Sequence, residues 1–282
     1  MNLLVEFLCR FSFGLAVALC ITPSTLVPSG FFRVNTLVLL GLTTFAALLS
    51  STLDLSVNVW LLSMAALVAW FGSVFWYADR RLAGLCCCGV TAMLCGFATA
   101  LFGDSTVAQA GIQMVSGCLI GFTVNAMLLG HWYLNAPGMR VDVLRRSIDQ
   151  TLFVWGVLFC SVVAVVVWNF NTGEHANATL SSNVFRAVTS ATSGGTGSLD
   201  ETGLALLWLR WLAGLLGLPV LLWMSRMTLD IPNTQSATGI LYVACLAVIL
   251  GELTAQLLGM TAVYENPAGH QNQEKILPEG TV

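Results

Sequence analysis

The sequence predicts an all-α fold, a polytopic transmembrane helix bundle of about eight spans with both termini outside. Three observations predict it. Of 282 residues, 57% are hydrophobic and only 9% charged, against roughly a quarter charged in an ordinary soluble domain. Eight apolar runs each approach the ~20 residues that a spanning helix needs. The basic residues also segregate between alternate connections, as the positive-inside bias demands.

The runs cover residues 3–23, 34–52, 57–78, 82–103, 107–134, 149–170, 203–226 and 237–262. The first carries Glu6 where a secretory signal would carry lysines, so it reads as a retained helix. Pro23, Pro28 and Gly30 punctuate the chain before the second, and Trp60 and Trp76 with Tyr77 bracket the third as interfacial aromatics. A corner of Asp79, Arg80 and Arg81 leads into the fourth, which holds Cys86, Cys87, Cys88 and Cys95. Gly103 with Asp104, and then Asn135 to Gly138, bound the fifth. The bundle is expected to occupy residues 1–265, with an outward loop at 171–202 and a polar tail at 266–282. That loop is rich in Ser, Thr, Gly and Asn. It carries the sequon Asn177, Ala178, Thr179 and a stretch at 182–192 able to form a short surface helix.

With eight spans, one side collects Arg33, Arg80, Arg81, Arg140, Arg145, Arg146 and Arg226. The other side holds only Arg186 and Lys275, and Arg10 and Arg210 fall within spans. The arginine side is therefore expected to be cytoplasmic. Both termini would then be periplasmic in a bacterial inner membrane. The net charge of −3 and the lack of a basic tract give no basis for nucleic-acid binding.

Several chemistries lack their motifs. There is no Walker sequence, dinucleotide fingerprint, zinc-protease helix or serine-nucleophile elbow, so no catalytic residue is assigned. The nine cysteines include neither a Cys-x-x-Cys zinc pair nor a Cys-x-x-Cys-His haem attachment, and no metal site is expected. Buried cysteine usually behaves as a small hydrophobe.

Ionisable groups inside spans are costly, which makes them candidates for function. Glu6 and Arg10 share one helical face at i,i+4 spacing. Arg210 and Glu252 lie at matched depth on consecutive spans, ~23 Å from the arginine-rich boundary at 1.5 Å per residue, and Gln256 follows one turn after Glu252. These five residues form an expected intramembrane polar network. Its plainest role is a buried pair that fixes helix packing, and its functional reading is a path for protons or a small solute.

The fifth run carries Gln113, Gly117, Gly121 and Asn125 at every fourth position, and Gly117 with Gly121 has the spacing that lets helix backbones approach. His131 follows Gln113 by a whole number of turns and falls at the cytoplasmic boundary. Tyr133, Arg226, Asn233 and Gln235 belong to the same boundary layer, and Thr234 or Ser236 is placed to cap the last span. Together these residues would suit the headgroup of a quinone or a lipid. Haem is disfavoured, because a bis-histidine site needs a second buried histidine; His175 and His270 fall in outward segments.

Eight spans with both ends outside resemble, in architecture, the quinol-oxidising membrane anchors of molybdenum-enzyme complexes. The resemblance implies a subunit of a larger redox-linked assembly, with membrane lipids and other membrane subunits as partners. A carrier or channel acting at the Arg210/Glu252 level is the alternative. No internal repeat is evident, and Gly217 to Pro219 is the one candidate for a break at mid-depth, which counts against a transporter.

Overall fold

The computed structural model describes residues 2–53, 56–101, 107–135, 141–172, 208–231 and 234–264. Arg140, Asn233, the tail and all but the start of the 171–202 loop lie outside the described residues, as does the side chain of Arg210. The described chain is helical: α1 Asn2–Ile21, α2 Ser29–Thr52, α3 Ser56–Tyr77, α4 Arg81–Ala100, α5 Val107–Asn135 and α6 Val141–Thr172. A π-helical segment, Arg210–Gly217, then enters α7 Leu218–Thr228, and α8 is Thr234–Tyr264. Helices α1 to α6 and α8 are long and apolar enough to cross a membrane. The π-helical segment and α7 form the eighth helical unit, so the chain is a multi-pass helical bundle.

Two helices begin well before their apolar runs. Helix α2 starts directly after Pro28, whose backbone (φ −58°, ψ 143°) turns the chain into the helix, and Phe31 and Phe32 are buried in its first turn. Helix α6 gains two turns in which Val143, Leu144 and Ile148 are buried while Arg146 and Asp149 face outward. Such an amphipathic entry is invisible to hydropathy alone. Asp142 in the first turn also complements the positive end of the helix dipole.

The corner between α3 and α4 has a clear cause. Asp79 takes a left-handed conformation (φ 54°), which Asp tolerates better than most residues. Its N–H donates to the Trp76 carbonyl and that of Arg80 to Phe75, at 3.2 and 2.9 Å, the paired bonds of a Schellman ending. The π-helical segment has a cause too. Pro219 cannot donate to the residue four before it and its ring crowds that carbonyl. The widened turn just before it relieves the clash.

Two sets of four helices share one neighbour order. In the first, α1 packs on α2, α2 on α3, α3 on α4 and α4 back on α1. In the second, α5 packs on α6, α6 on α7, α7 on α8 and α8 back on α5. The sets join where α1 lies parallel to α5. There a Cβ at Gly14 would overlap the Gly117 carbonyl, and one at Gly121 would overlap the Gly14 backbone. Asn125 donates to the Thr22 hydroxyl at 3.1 Å farther along the same seam. The Gly117/Gly121 pair thus serves a helix four positions earlier in the chain.

The first set is filled by rings and small residues. Phe32 and Trp76 stack at 4.3 Å with planes 13° apart. The α4 backbone at Gly84 lies so close to the Trp76 ring that a Cβ would come within 2.5 Å of it. Chain direction and these contacts bring the C-terminal ends of α1, α3, α5 and α7 and the N-terminal ends of α2, α4, α6 and α8 to one end of the bundle. Arg33, Arg80, Arg81, Arg145, Arg146 and Arg226 gather there.

Candidate functional site

Helices α5 and α8 run antiparallel and hold a polar group at each end of their seam. At the arginine-rich end, Gly130 lets α8 approach: a Cβ there would stand 3.0 Å from the Thr238 hydroxyl oxygen. Thr238 itself donates to the Thr234 carbonyl at 2.8 Å, one turn back. This register sets His131 beside Tyr242, with the phenol oxygen 3.0 Å from Nδ1 and the rings edge-on.

The Asn135 side-chain nitrogen lies 3.4 Å from His131 Nε2 and donates to the His131 carbonyl at 3.2 Å. The Asn135 contact suits a ring proton on Nδ1, and the ring can equally carry that proton on Nε2. With the proton on Nδ1 the ring donates to the Tyr242 oxygen and leaves the phenol hydrogen to an incoming acceptor; with it on Nε2 the phenol donates to Nδ1. His131, Asn135 and Tyr242 are all exposed, beside exposed Leu134, Val243 and Leu246. The face that carries the hydrogen-bonding groups is otherwise a lipid-type surface.

The other residues of the expected boundary cluster are placed separately. Tyr133 is partly buried against the main core. Gln235 is exposed in the first turn of α8. Arg226 pairs with Asp149 of α6 at 2.7 Å and with Asp230 at 3.7 Å, and Asp230 also receives Arg145 at 2.5 Å. These pairs clamp α6 to the α7–α8 turn. Among the described residues, the hydrogen bonds of His131 run to Asn135 and Tyr242 and none joins it to Tyr133, Arg226 or Gln235.

At the other end of the seam, Ser116 of α5 donates to the Glu252 carboxylate of α8. Glu6 and Arg10 pair within α1, and Arg10 is only 8% exposed. The Arg10 backbone abuts Gly117, so that pair lies at the depth of Ser116. Gln113 and Gln256 complete the layer. Gln113 Oε1, both terminal atoms of Gln256 and Arg10 Nε are buried without a partner among the described residues. Gly214 of the π-helical segment meets Gly251 of α8. The Arg210 backbone is therefore about one turn from the Glu252 level, and its expected bond to Glu252 lies outside what is described.

Tyr242 and Ser116 were missed by sequence reasoning. Each looks ordinary on its own helix and becomes a partner only once α5 is known to pack on α8. No three His, Cys, Asp or Glu side chains among the described residues are placed to share a metal ion. The nine cysteines are all free. Compared with known proteins, the chain gives no significant match to any family model, curated protein or solved structure.

Proposed function

We propose that this protein is the membrane-embedded, quinone-handling subunit of a larger redox-linked membrane complex. Its arginine-rich end faces the cytoplasm and both termini face the periplasm. The observation that carries the reading is the His131–Tyr242 pair. It offers a phenol donor backed by an imidazole, on a surface that is otherwise apolar.

A quinone carbonyl needs a hydrogen-bond donor at the depth where its ring rests, and its tail needs lipid. Tyr242 supplies the donor, and Leu134, Val243 and Leu246 line the approach. When a quinol is oxidised the same pair can take up a proton, in the tautomer with Nδ1 unprotonated: the quinol hydroxyl gives its proton to the phenol oxygen as the phenol hydrogen passes to Nδ1, leaving a neutral phenol and an imidazolium. The electrons would leave to a partner subunit. The arginines would attract anionic headgroups to the same boundary, an interaction that salt weakens.

The test is quinone affinity of the purified protein in lipid nanodiscs. His131→Ala and Tyr242→Phe should each weaken binding about tenfold, the equivalent of ~1.4 kcal/mol, while Arg226→Gln leaves it unchanged. Equal affinity in all four proteins would reject the site. For orientation, a cysteine replacing Asp79, with exposed Cys86 and Cys160 removed, should react with an impermeant reagent only after the membrane is opened. Labelling in intact cells would invert the topology.

A further inference from the structure

We infer that Glu252 is a proton-exchanging carboxyl group, served by water held among Ser116, Gln113, Gln256 and Arg10 and reached from the end opposite the arginines. The site is separate from the quinone reading and does not depend on it. The first observation is geometric. Glu252 lies within α8, 18 residues or ~27 Å of helix from its start at Thr234, and its described partner is a neutral hydroxyl. The second is independent: four buried polar atoms in the same layer have no partner among the described residues. Buried amide and guanidinium groups are seldom left unbonded, and a buried water typically makes about three hydrogen bonds to such groups.

The helical wheel of α5 places Gln113 between the two groups. At 100° per residue, Gln113 lies ~40° from Gly117, which faces α1, and ~60° from Ser116, which faces α8. Its amide therefore stands between the Glu6–Arg10 pair on one side and Glu252 on the other. Gln256 follows Glu252 by one turn, toward the opposite end of the bundle, and continues the polar line outward. Proton uptake is then a simple exchange: a hydronium ion in the cluster gives its proton to the carboxylate, leaving a carboxylic acid and water.

The charged groups around Glu252 are few. Helix α8 carries no other charged residue, and α5 carries none at all apart from His131 at the far end. Helix α1 contributes Glu6 and Arg10, already paired to each other, and the π-helical segment contributes Arg210. Bound in a fixed pair with Arg210, Glu252 would be a packing group and not an exchanging one. The experiment decides between these.

Infrared difference spectra of the full-length protein in lipid, recorded across pH, should show a carboxylic-acid carbonyl band that grows as pH falls. The band should vanish in Glu252→Gln, shift its midpoint in Ser116→Ala and persist in His131→Ala. If Glu252→Gln does not fold, Ser116→Ala and Gln256→Leu carry the test through the midpoint shift alone. A wild-type spectrum without such a band means a static ion pair and overturns the proposal. A band that is identical in all variants overturns it equally.

Discussion

The two four-helix sets treat their polar side chains differently. In α1 to α4, hydroxyls and amides turn back on their own helix: Asn35 donates to Phe31, Thr36 to Phe32, Thr43 to Leu39, Ser50 to Ala46, Thr91 to Cys87 and Thr99 to Cys95. Apart from two sulfur contacts, Cys20 with Leu85 and Cys88 with Trp76, no described side-chain hydrogen bond crosses between these helices. In α5 to α8 some hydroxyls also turn back, as Thr123 does to Leu119 and Thr151 to Ser147, but other polar groups cross: Ser116 to Glu252, Tyr242 with His131, Ser225 to the Ala237 carbonyl, and the arginines to Asp149 and Asp230. The first set packs as a scaffold, and in the proposed function the second carries the chemistry. Cross-helix polar bonds in membranes average only ~0.6 kcal/mol in measured cycles, so stability alone is a weak reason to keep so many.

The contrast yields graded expectations. Trp76→Ala empties the stacked site beside Phe32 and should cost about 3–5 kcal/mol, read by denaturation in detergent, while quinone affinity of the folded fraction stays unchanged. A smaller loss, about 1–3 kcal/mol, is expected of Gly14→Ala, because the added methyl pushes α1 off α5. Gly41→Ala, which meets nothing within 4 Å, should leave stability unchanged or raise it slightly. Equal behaviour of these two glycines would dissolve the α1–α5 seam.

Next in size is Asn125→Ala, which removes the one described side-chain hydrogen bond between the two sets. It should cost about 1 kcal/mol or less. Smallest is Arg226→Ala. Its partners are largely exposed, and exposed pairs contribute under ~1 kcal/mol, a share that should fade in high salt. A large, salt-independent loss would show that the clamp between α6 and the α7–α8 turn is structural after all.

Much of the fold was legible because lipid imposes a simple grammar of apolar length and turn residues. Residues 141–148 were not, since their polar half masks a buried half. The candidate sites were legible one residue at a time. His131 and Glu252 stand out as ionisable groups on apolar helices. Tyr242 reads as one more belt aromatic and Gly14 as an isolated glycine, because sequence does not say which helices are neighbours. The Gly117/Gly121 spacing announced a close approach without naming α1 as its target.

The central claim is that ligand chemistry resides at the α5–α8 end of the second set. A photoreactive quinone applied to the protein in lipid, followed by peptide mapping, tests it most directly. The account predicts label on residues 127–135 and 238–246, lost in Tyr242→Phe and displaced by unlabelled quinone. Label spread over the lipid-facing sides of α2 and α3, and unaffected by that variant, would contradict it.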